Sequence, residues 1–313
     1  MPRRPGDLLV PTPGRRPDVI RAAERPPDEV RRHVRSGQWE RVARGVYLPT
    51  AAADEPGAAR ARAVEHARIV GIHERLAAPH WFSHESAALV WGLPLWRLPA
   101  ATHVLHQHRR GLGADPVVRW HHGCPTERDR AVLDGLPVTS LARTVVDCAA
   151  ALPALHGLVV ADAALRAGVD PEVLAMLLDE RAGRRGVHRA RAVVGAADGG
   201  AESAGESGTR YLLLRAGLPA PTTQVRVATR LGSYWGDLGW EEWRLLLEYD
   251  GRSKYRADAD ALAREKRRHD AIVEAGWRVL RVTKEDLVRG DLVSRVHRLI
   301  PQPTPLTPRR YLQ

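Results

Sequence analysis

Between positions 233 and 255 the chain reads S-Y-W-G-D-L-G-W-E-E-W-R-L-L-L-E-Y-D-G-R-S-K-Y, which sets Asp237, Glu248 and Asp250 in apolar and aromatic sequence with Lys254 just beyond. Carboxylates gathered at one place can hold a hard divalent cation such as Mg2+, which keeps several of its waters and binds phosphate oxygens. Such an ion polarises a phosphodiester and helps generate hydroxide. An adjacent ammonium can then orient the water or offset charge growing on phosphorus. The plainer reading of the same residues is a strand pair with solvated acids on its outer face, because antiparallel sheets commonly turn one face to water.

The elements around these residues decide which reading the sequence favours. Alternation over 234–240 and 243–249 predicts two strands joined by a tight turn near Glu241 and Glu242. Tyr234, Leu238, Trp240, Leu245, Leu247 and Tyr249 then form one apolar face, leaving Asp237, Glu248 and Asp250 together on the other. A register that sets Asp237 across from Glu248 or Leu246 keeps these acids within reach; a slip of one residue separates them. Upstream, Ser203-Ala-Gly-Glu206 has the form of a capping box and predicts a helix running to Gly217. A strand over 224–229 follows. Beyond the acidic pair come a basic helix over 260–275, closed by Gly276, and a buried-type strand over 277–282.

The phrases E-S-G-T-R-Y-L-L-L-R-A-G-L-P (206–219), G-D-L-G-W (236–240), L-E-Y-D-G-R-S-K-Y (247–255), E-K-R-R-H-D (265–270) and A-G-W-R-V-L-R-V-T (275–283), in that order, resemble the PD-(D/E)xK nuclease superfamily. The nearest likeness is to its domains similar to very-short-patch-repair endonucleases. The resemblance covers roughly the last third of the chain. It implies a restriction-endonuclease-like α/β domain with a mixed sheet that hydrolyses DNA with Mg2+ (or Mn2+). Glu206 would be the acid on the first helix, Asp237 the central metal ligand and Glu248 the second, with the Tyr249 carbonyl completing the shell. The sequence departs from the superfamily at the lysine: Asp250 stands where D/E-x-K expects it. Lys254 is the nearest replacement and Lys266 the second candidate. Of 48 basic side chains only Lys254, Lys266 and Lys284 are lysines, all in this region. A lysine kept amid arginine suits a role for a compact, titratable ammonium.

Bulk properties limit the classes open to the chain. Its 313 residues suit two or three domains. A net charge of +11 points to a polyanionic partner, nucleic acid first and anionic membrane second. No stretch approaches the roughly 20 apolar residues of a membrane span. Two cysteines, Cys124 and Cys148, give no disulfide framework and suit a reducing compartment. The expectation is a cytoplasmic protein without a membrane partner.

Residues 1–16 read as a flexible basic leader. After them, a short helix over 18–23, a turn at Arg25-Pro26-Pro27, a second helix capped by Asp28 and ended by Gly37, and a hairpin of 38–42 with 45–48 make a small DNA-reading module. The phrase V-R-S-G-Q-W-E-R-V-A-R-G-V-Y resembles the winged-helix domain of the AbiEi antitoxin family. That likeness implies Arg31, Arg32 and Arg35 on the second helix facing the groove, and Arg41 and Arg44 on the wing meeting phosphates. The bland alternative is a solvated basic helix. Further phrases, S-H-E-S-A-A-L-V-W-G-L-P-L and S-L-A-R-T-V-V-D-C-A, resemble the middle region of AbiEi-like proteins.

The middle of the chain reads as a helix over 56–76, a second beginning at Ser83, strands over 102–107, 116–122 and 136–139, and helices over 140–148, 155–166, 171–179 and 184–194. His103, His106, His108, His121, His122 and Cys124 invite a metal reading. However, His103 and His106 face opposite sides of one strand, and no zinc spacing accompanies them. A polar or nucleic-acid-facing sheet is favoured instead. Residues 196–204 read as a hinge and 301–313 as a disordered tail.

The sequence therefore predicts an α+β multidomain chain: leader 1–16, winged helix 17–50, middle α+β region 51–195, nuclease-like domain 196–300 and tail 301–313. Two functions are open. One is a Mg2+-dependent DNA endonuclease targeted by the winged helix. The other is a non-catalytic DNA-binding regulator or antitoxin with a degenerate nuclease-like domain and a toxin-type protein partner. Nothing in the sequence sets the oligomeric state.

Overall fold

The structure, a computed structural model, describes residues 17–53, 55–107, 117–251 and 259–312, with the side chains of 259–262 also left undescribed. Lys254, His108 and residues 1–16 lie outside the described residues. The chain is α+β, with three sheets among the described residues.

The first part comprises β1 (Ile20–Arg21), a 3-10 turn (Ala22–Glu24), α1 (Pro27–Arg35), β2 (Trp39–Ala43) and β3 (Val46–Pro49), with strand order β1-β3-β2. The helix expected over 18–23 is instead this strand and turn. Prolines at 17 and 26 leave too little chain for helix nucleation, and the Ala22 N–H donates to Gly45 O at 2.8 Å, drawing the segment into the sheet. Pro27 occupies the first helical position of α1, where its missing N–H costs nothing. Asp28 lies in the first turn rather than at the cap, which is Pro26. Gly37, at φ +72°, ends the helix as expected.

This part is seated on α2 (Gly57–His73). A Cβ built on Gly71 would lie 2.7 Å from the Ala43 Cβ, so only glycine lets helix and hairpin approach so closely. Arg60 donates to Pro49 O at 2.8 Å and pairs with Glu40, while Arg21 pairs with Glu74 at 3.1 Å. Val46 and Leu48 of β3 join Ile69, Val70 and Phe82 in one core.

That core continues into a five-stranded sheet of β4 (His80–Phe82), β5 (Thr102–His106), β6 (Val118–His122), β7 (Arg130–Leu133) and β8 (Leu136–Thr139), ordered β6-β5-β4-β8-β7, with α3 (His84–Val90) between β4 and β5. The sheet is mixed: β4 pairs antiparallel to β5 and parallel to β8. Sequence reading missed β4 and β7, each too short to show a period. Next come α4 (Leu141–Ala151), α5 (Ala154–Arg166), α6 (Pro171–Asp179) and α7 (Val187–Gly195) around a second core that includes Val146, Leu158 and Leu174. The Ser140 hydroxyl caps α4, accepting from the Arg143 N–H at 3.4 Å.

The last part runs α8 (Ala204–Ala216), β9 (Thr222–Thr229), β10 (Gly232–Trp240), β11 (Leu245–Asp250), α9 (Ala259–Glu274), β12 (Arg278–Thr283), α10 (Lys284–Arg289) and α11 (Leu292–Leu299). The sheet order is β12-β11-β10-β9; β9, β10 and β11 pair antiparallel, and β12 returns parallel to β11. Both faces are covered. Leu213 of α8 and Val296 of α11 pack on Leu238, Trp240 and Leu247. Ile272 of α9 packs on Val225, Val227 and Leu246 from the other side. The solvated outer face envisaged from strand alternation is therefore absent, as expected once a parallel pair needs helices on both sides.

Two expectations about connecting segments are overturned. The stretch 196–204 is no hinge: the Asp198 N–H donates to Asp162 Oδ1 at 2.9 Å, and a Cβ on Gly200 would sit 2.0 Å from Thr223 Oγ1. The tail is not disordered in its described part. Leu312 is buried in the helical core, its carbonyl accepts from the Tyr211 hydroxyl at 2.6 Å, and Thr307 packs where a Gly217 Cβ would fall. Its prolines limit the unfolded chain and so lower the entropy lost on ordering.

Arg210 of α8 and Asp162 of α5 form the deepest ion pair among the described residues, Nη2 to Oδ1 at 2.5 Å, with side chains 5% and 1% exposed. Arg210→Leu leaves Asp162 buried without its counter-charge and is expected to cost about 3–5 kcal/mol. The double variant with Asp162→Leu should recover most of that loss in urea unfolding.

Candidate functional site

The acids of the last sheet do not assemble as their spacing suggested. Leu238 pairs with Leu247 and Trp240 with Leu245, a register that continues to set Asp237 across from Glu248. The pleat, however, slips at Asp237. Gly236 and Gly239, three residues apart, both face Leu246, whose Cδ2 would lie 2.8 and 3.0 Å from their Cβ positions. A regular strand would turn them to opposite faces. The neighbouring Gln224 on β9, at φ +51°, is the matching irregularity.

Glu248, on the same face of β11 as Leu246, turns to α9. Arg268 Nη2 donates to its Oε1 at 2.6 Å, and the guanidinium also reaches Trp235 O at 3.3 Å and stacks over Tyr234 at 5.8 Å. Asp237 stays by α8: its Oδ2 accepts the Tyr249 N–H at 2.8 Å. Among the described residues, no group of three that includes Glu206, Asp237 and Glu248 brings its ligand oxygens within 4.8 Å of one another. The expected three-acid convergence is thus a pair, Glu206 with Asp237, and a separate ion pair, Glu248 with Arg268.

Glu206 is buried at the start of α8. Its Oε2 accepts from the Glu202 N–H at 2.7 Å and its Oε1 from the Ser203 hydroxyl at 2.9 Å, while Ser203 Oγ accepts from the Glu206 N–H. The Ser203 cap read from S-x-x-E forms, but Glu206 closes back on the Glu202 N–H and the Ser203 hydroxyl instead of the N-cap N–H of a full capping box, and these bonds occupy both carboxylate oxygens. Burial, reinforced by the charge of Asp237 and opposed by those hydrogen bonds, pushes the Glu206 carboxyl up to about 7. Tyr249 lays its ring on the first turn of α8, where a Gly205 Cβ would be 2.0 Å from it. Burial, then Glu285 and Asp250, raises its phenol. Asp250 ends β11 beside Thr283, Lys266 is exposed on α9, and Lys254 lies outside the described residues. Arg268 was not anticipated. Its one signal was its place four residues before the buried Ile272, on the helix face that meets the sheet.

The basic residues of the first part stand at the surface. Arg31, Arg32 and Arg35 are exposed on α1 and line one shallow depression with Asp28 and Ser36. Arg31 is held by Asp28 at 3.2 Å. Arg41 is exposed on β2 and Arg44 at the hairpin tip beside Gly45, at φ +76°. His33 stacks on Trp39 with ring centres 4.3 Å apart, fixing helix against hairpin.

The chain thus carries a small basic module at one end and an α/β domain with buried acids at the other. Residues 15–50 match the family of transcriptional regulators described as AbiEi antitoxin. Two Mycobacterium tuberculosis proteins of uncharacterised function, MT2308 of strain CDC 1551 / Oshkosh and Rv2248 of strain ATCC 25618 / H37Rv, are each 34% identical over 171 residues, spanning 53% of this chain and 62% of theirs. The match thus covers less than two thirds of either relative. Among solved structures, the RV2827C protein of Mycobacterium tuberculosis aligns with 62% of this chain and 78% of its own at 19% identity, with a TM-score of 0.33, too low to support a common fold.

A carboxyl whose pKa is raised on folding favours the native state while protonated, so stability falls as pH rises from the ordinary 4.5 through about 7. Denaturant unfolding between pH 5 and 8 should show this loss, of order 2–3 kcal/mol. Glu206→Gln should flatten that slope while leaving the α8 cap largely intact.

Proposed function

We propose that this chain is a DNA-binding transcriptional regulator of antitoxin type, whose first 50 or so residues grip DNA through α1 and the β2–β3 hairpin in the manner of a winged helix. One observation carries the reading: Arg31, Arg32, Arg35, Arg41 and Arg44 all stand exposed within the segment that matches antitoxin regulators. Arginine forks suit phosphate oxygens and base edges alike, and the net charge of +11 supplies non-specific attraction. The strand order β1-β3-β2 supports a wing beside the helix. The function of antitoxin regulators adds a toxin-type protein as partner. Among the described residues no helix is long and apolar enough to cross a membrane.

In this reading the part from about 196 to 300 is a nuclease-like fold kept for binding rather than cutting. The succession helix, three antiparallel strands, helix, parallel strand supports that likeness. A Mg2+ ion does not fit the residues as they are arranged, because Arg268 already neutralises Glu248 and hydrogen bonds occupy both Glu206 oxygens. A second reading, a Mg2+- or Mn2+-dependent DNA endonuclease, rests on the mutual repulsion of Glu206 and Asp237, which a cation would relieve.

Two measurements separate them. The salt dependence of DNA affinity should be steep, and Arg32→Ala with Arg35→Ala should reduce the log–log slope by about one per lost phosphate contact. Unchanged affinity and slope in that variant would overturn the regulator reading. Supercoiled plasmid with Mg2+ or Mn2+ should remain intact with wild type; nicking abolished by Asp237→Ala would establish the endonuclease instead.

A further inference from the structure

Three histidines from three elements meet at the edge of the five-stranded sheet, away from both regions described above. His103 and His121 come from the paired strands β5 and β6, and His84 from the start of α3. The parallel register sets His103 beside Arg119 and Leu105 beside His121, so both imidazoles leave the same face. His106 leaves the opposite one, against Trp120. The alternation that separated His103 from His106 in the sequence therefore holds, and it is what leaves His103 available to His121. Sequence spacing could not reveal His84, which arrives from another element at φ +52°, a backbone conformation disfavoured for a side chain of its kind.

From these residues we infer that His84, His103 and His121 form a binding site for a borderline divalent cation of the Zn2+ class. One ring nitrogen from each lies within 4.8 Å of the others. His121 Nε2 is 3.0 Å from His103 Nδ1, close to the roughly 3.3 Å that a tetrahedral ion with 2.0–2.1 Å Zn–N bonds sets between its ligand nitrogens. On two of the three rings the other nitrogen is already engaged, as a metal-bound imidazole requires. His103 Nε2 faces Glu85 Oε2 at 3.3 Å, and His84 Nδ1 meets Ser83 Oγ at 2.9 Å, which leaves His84 Nε2 for the ion. A carboxylate behind a ligating imidazole fixes the ring and raises its basicity. His84 stacks on His121 at 4.0 Å with the planes 18° apart.

The surroundings keep the ligands uncharged. Burial, then the neighbouring His84, holds His103 down at about 3, and burial with His84 holds His121 at about 4. Both are neutral without surrendering a proton to the ion. The nearby cations are Arg119, Arg143 and Arg181. Arg143 and Arg181 are both claimed by buried Asp147, at 3.0 and 2.6 Å, and Arg143 also by Asp129 at 3.0 Å. Glu85, beside His103, supplies negative charge at the site. Three protein ligands leave a fourth position for water or an incoming donor, on the side of half-buried His121.

The test is Zn2+ alone, titrated into the full chain against a chromophoric chelator, with Co2+ replacing it for visible spectroscopy. Wild type should bind one equivalent tightly, give the absorption of a tetrahedral Co2+ site, and unfold at a higher temperature with the metal present. His121→Ala, and His84→Gln as a second variant, should lose that equivalent and the metal-induced rise in melting temperature. Glu85→Gln should bind about 10–100-fold more weakly, while His106→Ala should match wild type. The inference is overturned if wild type binds no stoichiometric Zn2+, or if folded His121→Ala and His84→Gln bind it as His106→Ala does.

Discussion

The buried pair of Asp162 and Arg210 is the constraint through which the two larger parts of the chain become one object. Arg210 leaves α8, the helix that covers one face of the last sheet, and enters the helical core beside Asp162 of α5. Its second fork arm takes Ala196 O at 2.5 Å, and Asp162 also receives the Asp198 N–H. One guanidinium and one carboxylate thus fix the ends of the connection between the parts. Charges so deeply withdrawn from water are tolerated only when they face each other. The geometry of α8, and with it the position of Glu206, follows from this contact.

Glu206 and Asp237 show what such fixation does to ionisable groups. α8 is held by its pairing with α5, and Tyr249 by the sheet, so the two acids cannot separate to relieve their repulsion. The slipped pleat of β10 aims Asp237 at the Tyr249 amide, while the unbroken alternation of β11 already carries Glu248 to Arg268 on the face of Leu246. A single irregular residue therefore divides an acidic set that looks continuous in the sequence.

Much of the architecture was legible. The Ser203 cap of α8, the strand pair expected over 234–240 and 243–249, and the Gly37 stop all follow from local rules. What stayed hidden depended on contacts between distant segments. The pleat slip at Asp237 needs Gln224 of the neighbouring strand at positive φ; the His84 ring joins His103 and His121 only through sheet packing; Leu312 reads as tail because its apolar partner, the helical core, lies over a hundred residues away. Gly-rich composition suggested flexibility at 196–204, where the glycines instead permit backbone and side chains to close on each other.

Gly71 carries a consequence for geometry on a larger scale. Because its missing side chain lets α2 lie directly on the β2–β3 hairpin, and Arg60 clamps the strand from the side, the arginine-bearing helix has no swivel. A duplex seated on α1 would be presented to the remaining bulk of the chain at one set angle. If two copies occupied neighbouring half-sites, their spacing along the double helix would be dictated by the outline of these bodies and not by the reach of a tether.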